Sequence, residues 1–181
     1  MSKLPIDEPQ PKEPAPGKSM GKGMLYAAWL VALVMLTLFF GNLEEKQYNP
    51  NSELQSAVTD QGYEVSLKRN KWGHYVATGK INGTNVTFLV DTGATLVAIP
   101  YHLKDKLNLN AGISFPVATA NGQSTAYATN IAQLQLGSIS LANVRGGLSV
   151  GMEGEEVLLG MSALSGLELI QSGDTLVIRQ F

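Results

Sequence analysis

The chain has 181 residues, with 13 Lys plus Arg against 15 Asp plus Glu, two His and no Cys. That length suits one ordinary domain with appendages, and a formal charge of −2 argues against a nucleic-acid binder, which carries a concentrated basic surface. Without cysteine there is no disulfide framework, thiolate metal site or thiol nucleophile, and His74 and His102 are not in a metal-ligand spacing; no metal or other cofactor is expected.

In chain order, residues 1–23 hold five of the eight prolines among Lys, Glu, Gly and Ser. Such a composition cannot bury enough apolar surface to offset its ordering entropy, so a disordered segment is expected there. Met24 to Phe40 follows without a single charge. Extended to Leu43 it is long enough, at about 1.5 Å per residue, for roughly 30 Å of helix. It has no polar stripe, as a buried soluble helix would. Its 23-residue lead and the Phe39-Phe40-Gly41-Asn42-Leu43 exit, which offers no A-x-A-like cleavage site, also do not suit a cleaved signal peptide. The expectation is one retained transmembrane helix over 24–43, with the lipid bilayer as its partner. Lys3, Lys12, Lys18 and Lys22 precede it, and Lys46 alone follows before Lys68. The excess of Lys on the leading side keeps the N-terminus cytoplasmic and sends the remainder across.

Residues 44–63 set Glu44, Glu45, Glu53 and Asp60 against Lys46 and read as an acidic stem with a weak helix around Ser52 to Val58. From Glu64 onward eight acidic residues balance eight basic ones, and the pattern becomes β. His74 to Ile81 and Asn85 to Val90 flank Asn82-Gly83, a strong hairpin signal. Asn121-Gly122 separates Phe115 to Thr119 from Thr125 to Ile131. Gly137-Ser138 and Ser172-Gly173-Asp174 mark two more turns. Pro100 to Leu107 is the convincing helical stretch, with Pro100 at the first helical position and Leu103 and Leu107 on one face. The fold class expected is all-β, a small closed barrel or sandwich with one or two short helices.

Chemistry concentrates in Phe88-Leu89-Val90-Asp91-Thr92-Gly93-Ala94-Thr95-Leu96-Val97-Ala98-Ile99-Pro100. A lone carboxylate between two apolar runs is expensive, so Asp91 is either the cap of a turn or a functional acid. Gly93 allows a tight turn and Thr92 offers a hydroxyl. This stretch resembles the active-site loop of the aspartic proteases. Val157-Leu158-Leu159-Gly160 is similar to the apolar-apolar-Gly that braces that loop, and Thr119-Ala120-Asn121-Gly122 stands where the family has its substrate-covering flap. The interval from Asp91 to Gly160 suits the single-lobed, retropepsin-like branch. With the N-terminal apolar span, the chain resembles the bacterial single-pass retropepsin-like proteases.

That resemblance implies an aspartic endopeptidase acting on peptide or protein substrates. Asp91, Thr92 and Gly93 would be the catalytic set, and Ala94, Thr119, Ala120, Asn121 and Gly122 the substrate contacts. It also implies two carboxyls sharing one proton and one water, because like charges about 3 Å apart cannot both ionise easily. The chain has one Asp-Thr-Gly; Asp105 reads as a solvated helix residue and Asp174 as a turn residue. The second carboxyl is therefore expected from a second copy of Asp91 in a symmetric homodimer, with Thr92 bonding across the dyad. Viral relatives follow Asp-Thr-Gly-Ala with Asp and the second Gly with Arg, whereas these positions hold Thr95 and Met161. Leu176-Val177-Ile178 is either an intersubunit strand or an ordinary core hairpin.

The location implied is a bacterial inner membrane with the protease domain periplasmic. A dimeric module that binds extended peptides without cutting them is the alternative function, and a domain released by cleavage in the stem is a third. Gly147-Leu148-Ser149-Val150-Gly151 matches the serine-hydrolase elbow, but no His follows His102, so that reading is rejected. Asn82 and Asn85 fit the N-glycosylation pattern.

Overall fold

The charge-free run from Met24 to Phe40 lies inside a helix, α1 (Lys18–Tyr48), in a computed structural model that describes residues 18–60, 62–119 and 122–181. Two units separate in it, Met1–Leu43 and Glu44–Phe181. The disorder expected for 1–23 falls outside the described residues as far as position 17, and Lys18 onward is helical. Gly21–Tyr48 is long and apolar enough to cross a membrane. Its large apolar side chains, Trp29, Leu33, Met35 and Phe39 among them, are all exposed. A helix apolar on every side has no stripe to turn toward a protein core.

The second unit begins before the stem has run its expected length. The weak helix read around Ser52 to Val58 is instead a strand, β1 (Gln55–Thr59), antiparallel to β2 (Gly62–Lys68). Every residue of β1 is exposed, so pairing rather than burial makes it a strand. Three buried Asn residues, Asn49, Asn51 and Asn70, tie residues 48–51 to the strands of this unit. Asn51 Nδ2 donates to Lys68 O at 2.9 Å and Val76 O at 2.7 Å, and Lys68 N–H donates to Asn51 Oδ1 at 2.7 Å. Asn49 Nδ2 reaches Thr78 Oγ1, and Asn70 Nδ2 reaches Tyr48 O. Asn51→Ala removes three hydrogen bonds from a buried site and leaves strand groups unpaired. It should cost about 3 kcal/mol, read as a lower thermal midpoint of the detergent-solubilised chain.

Two sheets follow. β1 and β2 join β10 (Glu168–Ser172) and β11 (Thr175–Gln180) in the order β1-β2-β11-β10. Since β11 is paired to β2 on one side and β10 on the other, Leu176 to Ile178 form the core hairpin, and neither edge of that strand is open to a second chain.

The larger sheet runs β3-β4-β9-β5-β8-β7-β6, comprising β3 (Val76–Ile81), β4 (Thr84–Val90), β5 (Val97–Pro100), β6 (Ser114–Thr119), β7 (Gly122–Leu136), β8 (Ile139–Ser149) and β9 (Glu156–Leu159). Pairing of Lys80 and Ile81 with Gln135 and Leu134 joins β3 back to β7, which closes the barrel. The β3–β4 turn has φ 48° at Asn82 and 84° at Gly83, the two left-handed positions of a type I′ hairpin. Asn82 also donates from Nδ2 to Leu107 O and accepts from Gln133 N–H, so its side chain is spent on the fold.

Two expected strands, Thr125 to Ile131 and Ala132 to Leu136, merge in the 15-residue β7. Length lets it serve β6, β8 and β3 in turn. The helix predicted at Pro100 to Leu107 shrinks to a 3-10 turn over Tyr101–Leu103 followed by turns, with Pro100 as its N-cap and the last residue of β5. A four-residue helix, α2 (Met161–Leu164), follows β9. The core is aliphatic with Phe88 as its largest fully buried side chain: Ile81, Ile99, Leu107, Ile131, Leu134, Leu148, Val157 and Leu159 are at most 1% exposed.

Candidate active site

Asp91 stands at the C-terminal end of β4, where the chain leaves the sheet. β9 runs parallel to β4 with Leu89 opposite Leu158 and Val90 opposite Leu159. The ladder continues one step further through Asp91 N–H to Leu159 O at 3.2 Å. Asp91 is thus held by its backbone while its carboxyl, only partly buried, leaves the sheet surface. Its Oδ1 accepts from Gly93 N–H at 2.9 Å, and Ala94 N–H returns to Asp91 O at 3.2 Å. The tripeptide is therefore a tight turn folded around its own carboxylate, the local arrangement that Asp favours.

The turn is braced from behind. Met161 N–H donates to Ala94 O at 2.8 Å and Ser162 N–H to Thr95 O at 2.9 Å. Ser162 Oγ accepts from Val97 N–H at 2.9 Å and donates to Arg145 O at 2.6 Å. One hydroxyl thus ties the exit of the loop to β8, and these bonds join the two segments where Thr95 and Met161 lack the charges of the viral pattern. Ser162 drew no attention as sequence because nothing local marks it. Gly160 is required by proximity. A Cβ there would lie 2.7 Å from Ala94 O and closer still to Leu96 O, inside van der Waals contact.

Thr92 and Gly93 are exposed and Ala94 is partly buried. Thr92 has no side-chain partner among the described residues. Of the expected flap, Thr119 and Gly122 are paired across β6 and β7, while Ala120 and Asn121 lie outside the described residues. The hairpin is tied to the β8–β9 connection by Val150 N–H to Thr125 O at 3.1 Å. Several other acids are engaged away from the loop. Asp105 meets Lys104, Asp174 meets Arg69, and Glu64 and Glu168 flank Arg179. Those carboxylates raise the Arg69, Lys104 and Arg179 pKa values, by hydrogen bonding first. Ser149 of the rejected elbow ends β8 as a buried residue, with no helix following it.

A closed single-lobed barrel that presents an Asp-Thr-Gly turn, braced by an apolar-apolar-Gly strand, is the acid-protease arrangement anticipated from the sequence. Residues 77–166 match the family model described as "gag-polyprotein putative aspartyl protease". A retropepsin-like aspartic protease from Rickettsia conorii is similar in structure, with a TM-score of 0.55 and 25% identity, over 71% of this chain and 96% of that one. The EIAV protease complexed with the inhibitor HBY-793 gives a TM-score of 0.46 and 17% identity, over 58% of this chain and 100% of that one. The chain belongs to the retropepsin-like aspartic protease family. It is also 36% identical over 113 residues to an uncharacterized protein in the cobV 5' region of Sinorhizobium sp., covering 60% of this chain and 48% of that protein. The chain thus spans about half the length of that curated relative.

Proposed function

We propose that the chain is a membrane-anchored aspartic endopeptidase, active as a homodimer in which each copy contributes Asp91. The observation that carries this reading is the Asp91-Thr92-Gly93 turn, with its carboxyl accepting the Gly93 amide and its frame bonded to α2 and β9. In this reading one carboxylate of the pair takes a proton from a water held between the two. The resulting hydroxide attacks the scissile carbonyl, and the protonated carboxyl hydrogen-bonds the carbonyl oxygen as charge develops. The proton then passes to the leaving amine as the C–N bond breaks. In this reading Thr92, exposed and unpartnered within the described residues, bonds across the dyad. Peptides lie extended beneath the β6–β7 hairpin, pairing as an added strand, with Ala94 and residues 119–122 as contacts.

The dimer we infer is a weak one. Strand β11 is satisfied on both edges inside one chain, so the interface is built without an exchanged terminal strand. Confinement by α1 in a bilayer, with residues 1–23 cytoplasmic and the barrel periplasmic as the flanking lysines indicate, raises the effective concentration of the partner. The test is cleavage of a peptide library by the detergent-solubilised chain over a range of protein concentrations. Activity should rise with roughly the square of protein concentration at high dilution. Strictly linear activity would rule out a dimeric enzyme. Peptide binding without cleavage would favour the silent module.

A further inference from the structure

One partly buried carboxylate, that of Glu156, has no role in this chemistry. Glu156 is the first residue of β9 and lies opposite Thr87 of β4. Side chains alternate along a strand and match across a parallel pair. Asp91, Leu89 and Thr87 therefore share one face of the sheet with Leu158 and Glu156, and Ala98 of β5, opposite Leu158, belongs to the same face. The other face carries Val86, Phe88, Val157 and Leu159, all buried in the core. Leu89, Leu158 and Ala98 are each partly buried, an apolar floor leading from the Asp91 carboxyl to that of Glu156. At about 3.3 Å per residue the two lie roughly 13 Å apart along the strand.

Glu156 is partly buried, yet it has no hydrogen bond or ion pair among the described residues. Its neighbour Glu155 meets both His102 and Lys106. Burial pushes the Glu156 carboxyl above the ordinary Glu range, and no cation among the described residues pairs with it to offset that cost. An unpaired carboxylate costs stability on a surface that an apolar residue would fill equally well. A cation arriving with a ligand removes the cost.

We propose that Glu156 is a specificity-determining residue, an anionic subsite that selects peptides carrying Lys or Arg within about four residues of the scissile bond. The length of an extended peptide sets that window. The aliphatic stem of Lys or Arg lies along Leu89 and Leu158, and the charged head meets the carboxylate. The inference rests on the protease reading for its cleavage form only.

The experiment uses the full chain in detergent and matched peptides that carry Lys, Arg, Gln or Glu at each of four positions on either side of the bond. The wild type should cleave the best Lys or Arg peptide about tenfold or more faster in kcat/KM than its Gln counterpart. Glu156→Gln should remove that ratio without lowering the thermal midpoint, and Glu156→Lys should turn the preference toward Glu. Equal rates in the wild type, or a basic preference that survives in Glu156→Gln, would overturn the inference. If no peptide is cut, the same set is titrated for binding to the Asp91→Asn chain. A basic preference lost on adding Glu156→Gln then upholds the subsite while the protease reading fails, and its absence overturns both.

Discussion

Asp91→Asn should lower peptide cleavage by about 10³-fold or more and leave the fold intact. The amide keeps an oxygen for the Gly93 N–H and nearly the same volume, so the thermal midpoint should stay close to that of the wild type. What it loses is the capacity to take a proton from water. The same variant reports on assembly. Each working site is inferred to need two carboxyls, so a mixed dimer is inert. When equal amounts of wild type and Asp91→Asn exchange subunits freely, activity should fall to about a quarter of that of the same total of wild type. A fall to one half instead means that each chain works alone, and the homodimer reading would be abandoned. Activity that survives in the pure variant removes Asp91 from the chemistry altogether.

Gly160→Ala should damage both the fold and the Asp91 loop. The added Cβ falls on the Leu96 carbonyl and within 2.7 Å of Ala94 O, and both belong to the backbone of the Asp91 loop, which cannot rotate away as a side chain would. Either β9 withdraws from β4 or the loop moves outward. Overpacking of this kind costs about 2–4 kcal/mol, visible in the thermal midpoint. A shift of about 1 Å in a catalytic group costs on the order of 10²-fold in rate, so activity should fall even well below the melting temperature. Ser162→Ala provides the contrast, because it removes two hydrogen bonds from the same brace and introduces no clash. Gly160→Ala that melts and cleaves like wild type would mean that the loop is not held from β9.

What could be read ahead of the structure was local. The turns at Asn82-Gly83, Gly137-Ser138 and Ser172-Gly173-Asp174 stand where their residues place them, because a two-residue reversal is decided by its own backbone preferences. The Asp-Thr-Gly loop was legible for the same reason, since its carboxyl is captured two residues away. What the sequence concealed was non-local. Gln55 to Thr59 is wholly exposed and mixes Ala57 and Val58 with polar residues, with no alternation to betray a strand; its order comes from β2. Asn49-Pro50-Asn51 has loop composition, and its burial follows only when Lys68 and Val76 arrive from other strands. Ser162 and Glu156 matter through partners such as Val97 and Thr87, which no periodicity links to them. The helix at Pro100 failed because β5 claims the proline, leaving too few residues for regular turns.

The exposed strand β1 also has a protective value. β2 is a central strand because β1 covers one side, and its Val65 and Leu67 are completely buried. If the chain were severed near residue 63, as an apparent stem invites, the cut would strip away both β1 and the Asn51 lock. β2 would become a bare edge carrying aliphatic side chains, an invitation to stick to its own kind. The natural place to part the barrel from its helix therefore lies upstream of Asn51, and shedding by a cut between β1 and β2 would yield aggregate rather than a soluble enzyme.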